Sequence, residues 1–178
     1  LINAQSGART PAPGGVKTHH DVTGFFREVC EDDASVADTL RKYMSYIPGF
    51  DLEFFRVAPP MEPAFPSEDL YSIIPINPKR TYDIYQVISR LTDASQFDEY
   101  KPDYGPEVVC GIARMDGLLV GIVANKQGFF MNYPEYRGEK AIGVGGKLYR
   151  QGLIKMSEFV TLCERDRIPM IWLQDSSG

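Results

Sequence analysis

The chain has 178 residues, 43% hydrophobic, 24% charged and 12% aromatic, a balance that suits one globular domain or parts of two. Its net charge of −5 supplies no basic field for phosphate backbones, which argues against nucleic acid as a partner. The longest apolar run, Leu118 to Ala124, falls far short of the ~20 residues of a membrane-spanning helix, and no signal-peptide pattern opens the sequence. Cys30, Cys110 and Cys163 lie far apart without a CxxC pair, and the chain has only two histidines. That usage predicts a reduced, cytoplasmic compartment and argues against structural zinc. Each cysteine reads as a small buried hydrophobe. A first residue of leucine and an abrupt end at Gly178 suggest a piece of something longer.

In chain order, residues 1–24 carry Gly7, Pro11, Pro13, Gly14, Gly15 and Gly24 and no period, which predicts a loop or linker. Asp32 to Met44 predicts a helix, with acids in its first turn and bases toward its end. Val36, Leu40 and Met44 would be its buried stripe, and Pro48-Gly49 its stop. Phe50 to Pro78 is dense in proline, which lacks donors for regular ladders. Phe54, Phe55, Phe65, Leu70, Tyr71, Ile73 and Ile74 need burial, so an ordered connector lying over a neighbouring surface is expected.

Thr81 to Leu91 predicts the next helix, with Tyr82, Tyr85, Val87 and Ile88 inward and Arg90 outward. Val108 to Arg114 and Leu118 to Ala124 predict two strands around a Met115-Asp116-Gly117 turn, a strong hairpin signal. The second strand is apolar throughout, so both of its faces should be covered. Asn125 to Gly146 reads as a long loop. Lys147 to Asp166 predicts a helix with Tyr149, Leu153, Met156, Phe159, Val160 and Cys163 on one face. Ile168-Pro169 then turns the chain into a last strand ending at Leu173. The second strand, this helix and the last strand form a βαβ unit with parallel pairing and a right-handed crossover. The last strand would keep a free edge, to be completed by further sequence or by a partner chain.

Gly143-Val144-Gly145-Gly146-Lys147 before a helix resembles an anion-binding start, though Leu148 stands where a Walker A motif needs a hydroxyl. The alternative is a flexible loop allowing close helix packing. Gln174-Asp175-Ser176-Ser177-Gly178 follows a buried strand, the edge where open α/β sheets bind ligands, but it would also serve as a turn capping a helix. Asn125-Lys126-Gln127-Gly128 ends the neighbouring strand and should lie beside it. His19 and His20 are adjacent, point in different directions and have no third histidine, which favours hydrogen-bonded surface residues over a metal site. Glu31-Asp32-Asp33 reads as a solvated helix start. There is no Gly-x-Ser-x-Gly elbow, and no Ser/His/Asp triad can be nominated.

Taken together, these pieces resemble a family. Gly14-Gly15-Val16-Lys17-Thr18-His19, Thr23-Gly24 and Glu31-Asp32-Asp33 are similar to the signature that ends the N-terminal domain of biotin-dependent acyl-CoA carboxyltransferases. Val120 to Asn125, Lys155, Phe159-Val160, Leu162-Cys163, Ile168-Pro169 and Gln174 to Gly178 match the C-terminal domain in order. Tyr82 to Tyr85, Phe129 to Tyr136 and Gly145 to Gly152 look most like the branch that decarboxylates glutaconyl-CoA. Methylcrotonoyl-CoA siblings lack an insertion around Phe129–Val144.

The resemblance implies an α/β, crotonase-like (ClpP/crotonase) carboxyltransferase fold, incomplete in this chain. Residues 1–30 would end the N-terminal domain, 31–80 would be the helical and Pro/aromatic-rich connector, and 81–178 would be the first half of the C-terminal domain. The implied activity is movement of a carboxyl group between an acyl-CoA, with glutaconyl-CoA a candidate, and biotin carried on a partner protein or domain. Implied partners are further copies in a dimer or higher oligomer, a biotin carrier protein and membrane decarboxylase subunits. Backbone oxyanion holes would do the chemistry, so no catalytic side chain and no metal is nominated. The residues expected to line the biotin side are Asn125, Gln127, Gly145, Gly146, Gln174, Asp175, Ser176, Ser177 and Gly178. The acyl-CoA site and the glycine pair of the second oxyanion hole would lie outside residues 1–178, leaving the piece inactive alone. Two alternatives remain: a non-catalytic assembly module, and a crotonase-type hydratase or hydrolase with Asp175 as its carboxylate.

Overall fold

The computed structural model describes residues 15–46, 57–77, 80–136 and 139–176. The expectations on residues 1–14, Pro48-Gly49, Phe50, Phe54-Phe55, Pro78 and Ser177-Gly178 fall outside them. Along the chain run α1 (Asp33–Met44), α2 (Leu70–Ile73), α3 (Ile84–Leu91), β1 (Phe97–Glu99), β2 (Val108–Met115), β3 (Leu118–Asn125), β4 (Phe129–Tyr136), β5 (Glu139–Val144), α4 (Arg150–Arg165) and β6 (Met170–Leu173). The main sheet has the order β1-β2-β3-β6. β1, β2 and β3 pair antiparallel and β6 joins β3 in parallel, as the expected hairpin and βαβ unit require.

The hairpin turns on Asp116-Gly117 alone, with Met115 facing Leu118. Both turn residues have positive φ, 52° and 78°, the backbone that matches strand twist in a two-residue turn. Asp93 caps it: the amides of Asp116 and Gly117 donate to its two carboxylate oxygens at 2.8 and 2.7 Å. A Cβ on Gly117 would lie 2.0 Å from the Ala58 carbonyl oxygen, because the connector crosses the turn there.

β3 is buried along nearly its whole length, as its unbroken apolar run predicts. On one face Val109, Val120, Ile122 and Ala124 pack with Ile84, Val87 and Ile88 of α3. On the other, Val108, Cys110, Leu119 and Val123 pack with Phe159 and Cys163 of α4. All three cysteines are free, two of them buried. Burial pushes the Cys110 thiol up to about 12 and the Cys163 thiol to about 11, so both stay protonated fillers of the core.

Several expectations are overturned. Thr18–Val22 is one wide helical turn rather than a loop, closed by Thr23 N–H on the Thr18 carbonyl at 3.1 Å. The Lys17 ammonium bonds to Asp21 across that turn, an i,i+4 link that composition alone does not reveal. In α1 the stripe Val36, Leu40 and Met44 faces outward, 43 to 67% exposed. Its polar side turns in instead: Lys42 pairs with Asp98 at 2.8 Å, and Tyr43 lies under the Arg27 guanidinium at 4.3 Å. The connector contains regular turns, Ser67–Asp69 and α2. Leu70 and Ile73 meet the core there, while Phe65, Tyr71 and Ile74 stay exposed.

Arg90 is buried, not outward, because Asp69 accepts from it at 3.0 Å and the Gln86 carbonyl at 3.0 Å. β1 had no recognisable pattern. The stretch from Asn125 to Gly146 holds the β4–β5 hairpin rather than a loop; its pairing is irregular, which blurs any period of two.

α4 starts and ends close to expectation, but its inward face is rotated. Gly152, Lys155, Phe159 and Cys163 are buried, whereas Leu153 is exposed. Lys155 is fully inaccessible. Its ammonium donates to the Val108 carbonyl at 2.7 Å and lies 3.8 Å from Glu99, which also accepts from the Tyr85 hydroxyl at 2.7 Å. Burial lowers the Lys155 pKa below its ordinary 10.5.

Lys155→Ala would leave Glu99 without its cation and open a cavity. The expected loss is about 3–5 kcal/mol of stability in urea denaturation, with Lys155→Met recovering part of it through volume. Between the lowered folded pKa and 10.5 the unfolded chain binds more protons, so this residue makes stability rise with pH in that window. Lys155→Met should abolish that contribution.

Candidate functional site

The parallel pairing of β3 and β6 sets Ala124 opposite Leu173, so both strands release their next residues at one edge of the sheet. Asn125, 7% exposed, accepts the Asp175 N–H on its side-chain oxygen at 3.2 Å. The Gln127 amide donates to the Asp175 carbonyl at 3.0 Å and to its carboxylate at 2.9 Å. The Tyr82 hydroxyl donates to the same carboxylate oxygen at 3.1 Å. Gln174 reaches the Ser176 hydroxyl at 3.2 Å. Asp175 is thus held at its N–H, its carbonyl and its carboxylate.

The glycine pair arrives at the same edge. Gly145 N–H donates to the Gly128 carbonyl at 2.7 Å and Gly146 N–H to the Lys126 carbonyl at 3.2 Å. Gly146 has φ of +74°, and a Cβ there would lie 3.5 Å from the Asp175 carbonyl and the Gln127 amide. Asn125, Gln127, Gly145, Gly146, Gln174, Asp175 and Ser176 are therefore brought together, while Ser177 and Gly178 lie outside the described residues.

The glycine run does not itself present a helix N-terminus. α4 begins later, at Arg150, and the Tyr149 N–H donates to Glu107 at 3.2 Å. This fully buried carboxylate occupies the place an external anion would take. A Cβ on Gly152 would fall 2.1 Å from the Glu107 oxygen, so Gly152 is what lets the carboxylate approach.

Two openings adjoin the edge. A cleft of about 120 Å³ is lined by Asn125, Leu148, Met156, Trp172, Gln174 and Ser176 among others. A shallower one of about 430 Å³ lies between Thr81, Tyr82, Asp83, Tyr85, Lys126 and Gln127. Tyr82 and Gln127 line the second opening and also hold Asp175, which makes loop and opening one site. Burial first, and then the bond to Asp175, push the Tyr82 phenol up to about 12, so it remains a donor at neutral pH.

The arrangement offers amides, hydroxyls and backbone groups. One oxygen of the Asp175 carboxylate accepts from both Gln127 and Tyr82. His20 bonds to its neighbour Asp21 at 2.9 Å, and no metal-binding cluster occurs among the described residues. Sequence reading missed Tyr82 and Lys126 as site residues and Glu107 altogether. Tyr82 looks like any inward helix residue, and only its proximity to the last loop reveals its role.

The carboxyl transferase domain family matches residues 6–178. The chain belongs to that family. It is 56% identical over 170 residues to the glutaconyl-CoA decarboxylase subunit alpha of Acidaminococcus fermentans, covering 96% of this chain and 29% of that one. It is 31% identical to the mitochondrial methylcrotonoyl-CoA carboxylase beta chain of Dictyostelium discoideum, over 93% of this chain and 25% of the other. A solved transcarboxylase 12S, described as a hexamer with hydrolysed methylmalonyl-coenzyme A bound, superposes with a TM-score of 0.78 at 30% identity. That match covers 99% of this chain and 33% of the solved one. The chain thus spans about a third or less of the relatives it matches, within the crotonase-like carboxyltransferase fold.

Asn125→Ala should free the Asp175 amide. Hydrogen exchange at that amide is expected to quicken about fivefold, matching one lost hydrogen bond of roughly 1 kcal/mol, while the β3 amides stay protected.

Proposed function

We propose that this domain forms the biotin-side wall of a carboxyltransferase that moves a carboxyl group between an acyl-CoA and biotin on a partner protein or domain. Family membership supports the reaction class. The observation that carries the assignment of the wall is the approach of Gly146 to the Asp175 carbonyl, with Gln127 bonded to Asp175, at the ends of β3 and β6. The similarity to a glutaconyl-CoA decarboxylase subunit makes glutaconyl-CoA the candidate acyl group. Asn125, Gln127, Gly145, Gly146, Gln174, Asp175 and Ser176, with Ser177 and Gly178 beyond them, are assigned hydrogen-bonding and shaping roles, not proton transfer.

The donor set fits a ureido ring. Asn125, Gln174 and Ser176 give the smaller cleft polar lining, and Leu148, Met156 and Trp172 give it apolar lining. Bound biotin supplies the nitrogen that carries the carboxyl group. The chain supplies orientation, through an Asp175 loop tied by Asn125, Gln127 and Tyr82, so little reorganisation is needed when charge develops nearby.

On this reading residues 1–30 end an N-terminal domain, 31–80 connect, and 81–178 begin the C-terminal domain. The working protein is a cytoplasmic homo-oligomer served by a biotin carrier, with membrane decarboxylase subunits as further partners. No helix among the described residues is long and apolar enough to cross a membrane. A crotonase-type hydratase using Asp175 is less favoured, because one oxygen of that carboxylate already accepts from two side chains.

The test is carboxyl transfer by the full-length protein with biotin and glutaconyl-CoA. Turnover should require biotin, and Gly146→Val, which forces a β-branched side chain onto a φ of +74° beside Asp175, should lower kcat by about a hundredfold by misplacing that loop. Turnover that is indifferent to biotin would sink the proposal.

A further inference from the structure

The shallow opening beside the Asp175 loop contains a cation that the loop's hydrogen bonds do not use. Lys126 follows Asn125 at the end of β3 and is half-buried. Its backbone is fixed from both sides: its N–H donates to the Glu107 carbonyl at 2.9 Å, and its carbonyl accepts from Gly146 at 3.2 Å. Its ammonium lies 5.0 Å from the centre of the Tyr85 ring and 5.9 Å from that of Phe130. Ring faces attract a cation without consuming its N–H donors. Tyr85 cannot swing away freely, because its hydroxyl is bonded to Glu99 at 2.7 Å. The rings therefore place the charge and leave it free to donate.

The acids around the opening have donors of their own. Asp83 caps α3 by accepting the Tyr85 N–H at 3.0 Å. Asp175 accepts from Gln127 and Tyr82. Among the described residues no carboxylate forms an ion pair with Lys126. The opening of about 430 Å³ has room for a small anionic group, with Thr81 and Gln127 as further polar walls.

We infer that Lys126 binds the free carboxylate of a dicarboxylic acyl thioester, using the aromatic pair Tyr85 and Phe130 to hold its ammonium beside the Asp175 loop. This rests on the carboxyltransferase reading and deepens it, because it names the group that separates dicarboxylic from monocarboxylic substrates. A ligand with a plain alkyl end would leave the ammonium without an anionic partner.

The experiment is calorimetry on the full-length protein with glutaryl-CoA and butyryl-CoA, which differ by the one terminal carboxylate. Lys126→Met should weaken glutaryl-CoA about tenfold, some 1.4 kcal/mol, and leave butyryl-CoA unchanged. Lys126→Arg should restore most of the loss, and both variants should melt at the wild-type temperature. Equal weakening of the two thioesters would assign Lys126 to the coenzyme or to structure and overturn the inference, as would no change in either. Failure of the wild type to bind any acyl-CoA would instead overturn the carboxyltransferase reading itself.

Discussion

The fold turns on a buried lysine. Lys155 ties the middle of α4 to the start of β2 through the Val108 carbonyl and lies against Glu99 of β1. A second carboxylate, Glu107, fixes the N-terminus of the same helix, and Gly152 leaves the space for it. A charge in the core is costly unless it is paired and hydrogen-bonded, so this arrangement admits little sliding of α4 along the sheet. α4 leads directly into β6, and β6 carries the Asp175 loop. The position of the site is thus inherited from where a lysine can be satisfied.

The same network reaches the opening at the sheet edge. Glu99 accepts from Tyr85, and the ring of Tyr85 faces the Lys126 ammonium. One end of this network, Lys155, is fully buried, and the other, Lys126, is half-buried. Polar groups at the edge are largely engaged with one another, which suits a reaction that needs fixed dipoles more than a titrating base.

α1 obeys a different balance. Its inward contacts are Lys42 with Asp98 and Glu28, and Tyr43 under Arg27, while its apolar stripe stays outside. Periodicity locates an apolar face but is silent on which side of a helix the rest of the chain presents. Where Arg27 and Asp98 already form a partly buried pair, a lysine completes the cluster better than a leucine would. Arg90 repeats the lesson, since Asp69 and the Gln86 carbonyl draw it inward against its expected direction.

Local physics was sufficient for much of this chain. Asp116-Gly117 between apolar runs dictates a hairpin, because only residues that tolerate positive φ fit that turn. The unbroken apolar run of β3 dictates coverage on both faces, and a helix before another apolar run dictates the parallel β6. The order of Asn125, Lys155, Ile168-Pro169 and Gln174 onward was enough to place the chain in its family. Tertiary structure alone decided the rotation of α4 about Lys155, the outward stripe of α1, the β4–β5 hairpin and the placement of Tyr82, Lys126 and Glu107. The reason is one of distance: turns and periods are settled between near neighbours. The partner of a buried charge lies tens of residues away and becomes visible only when the strands are in register.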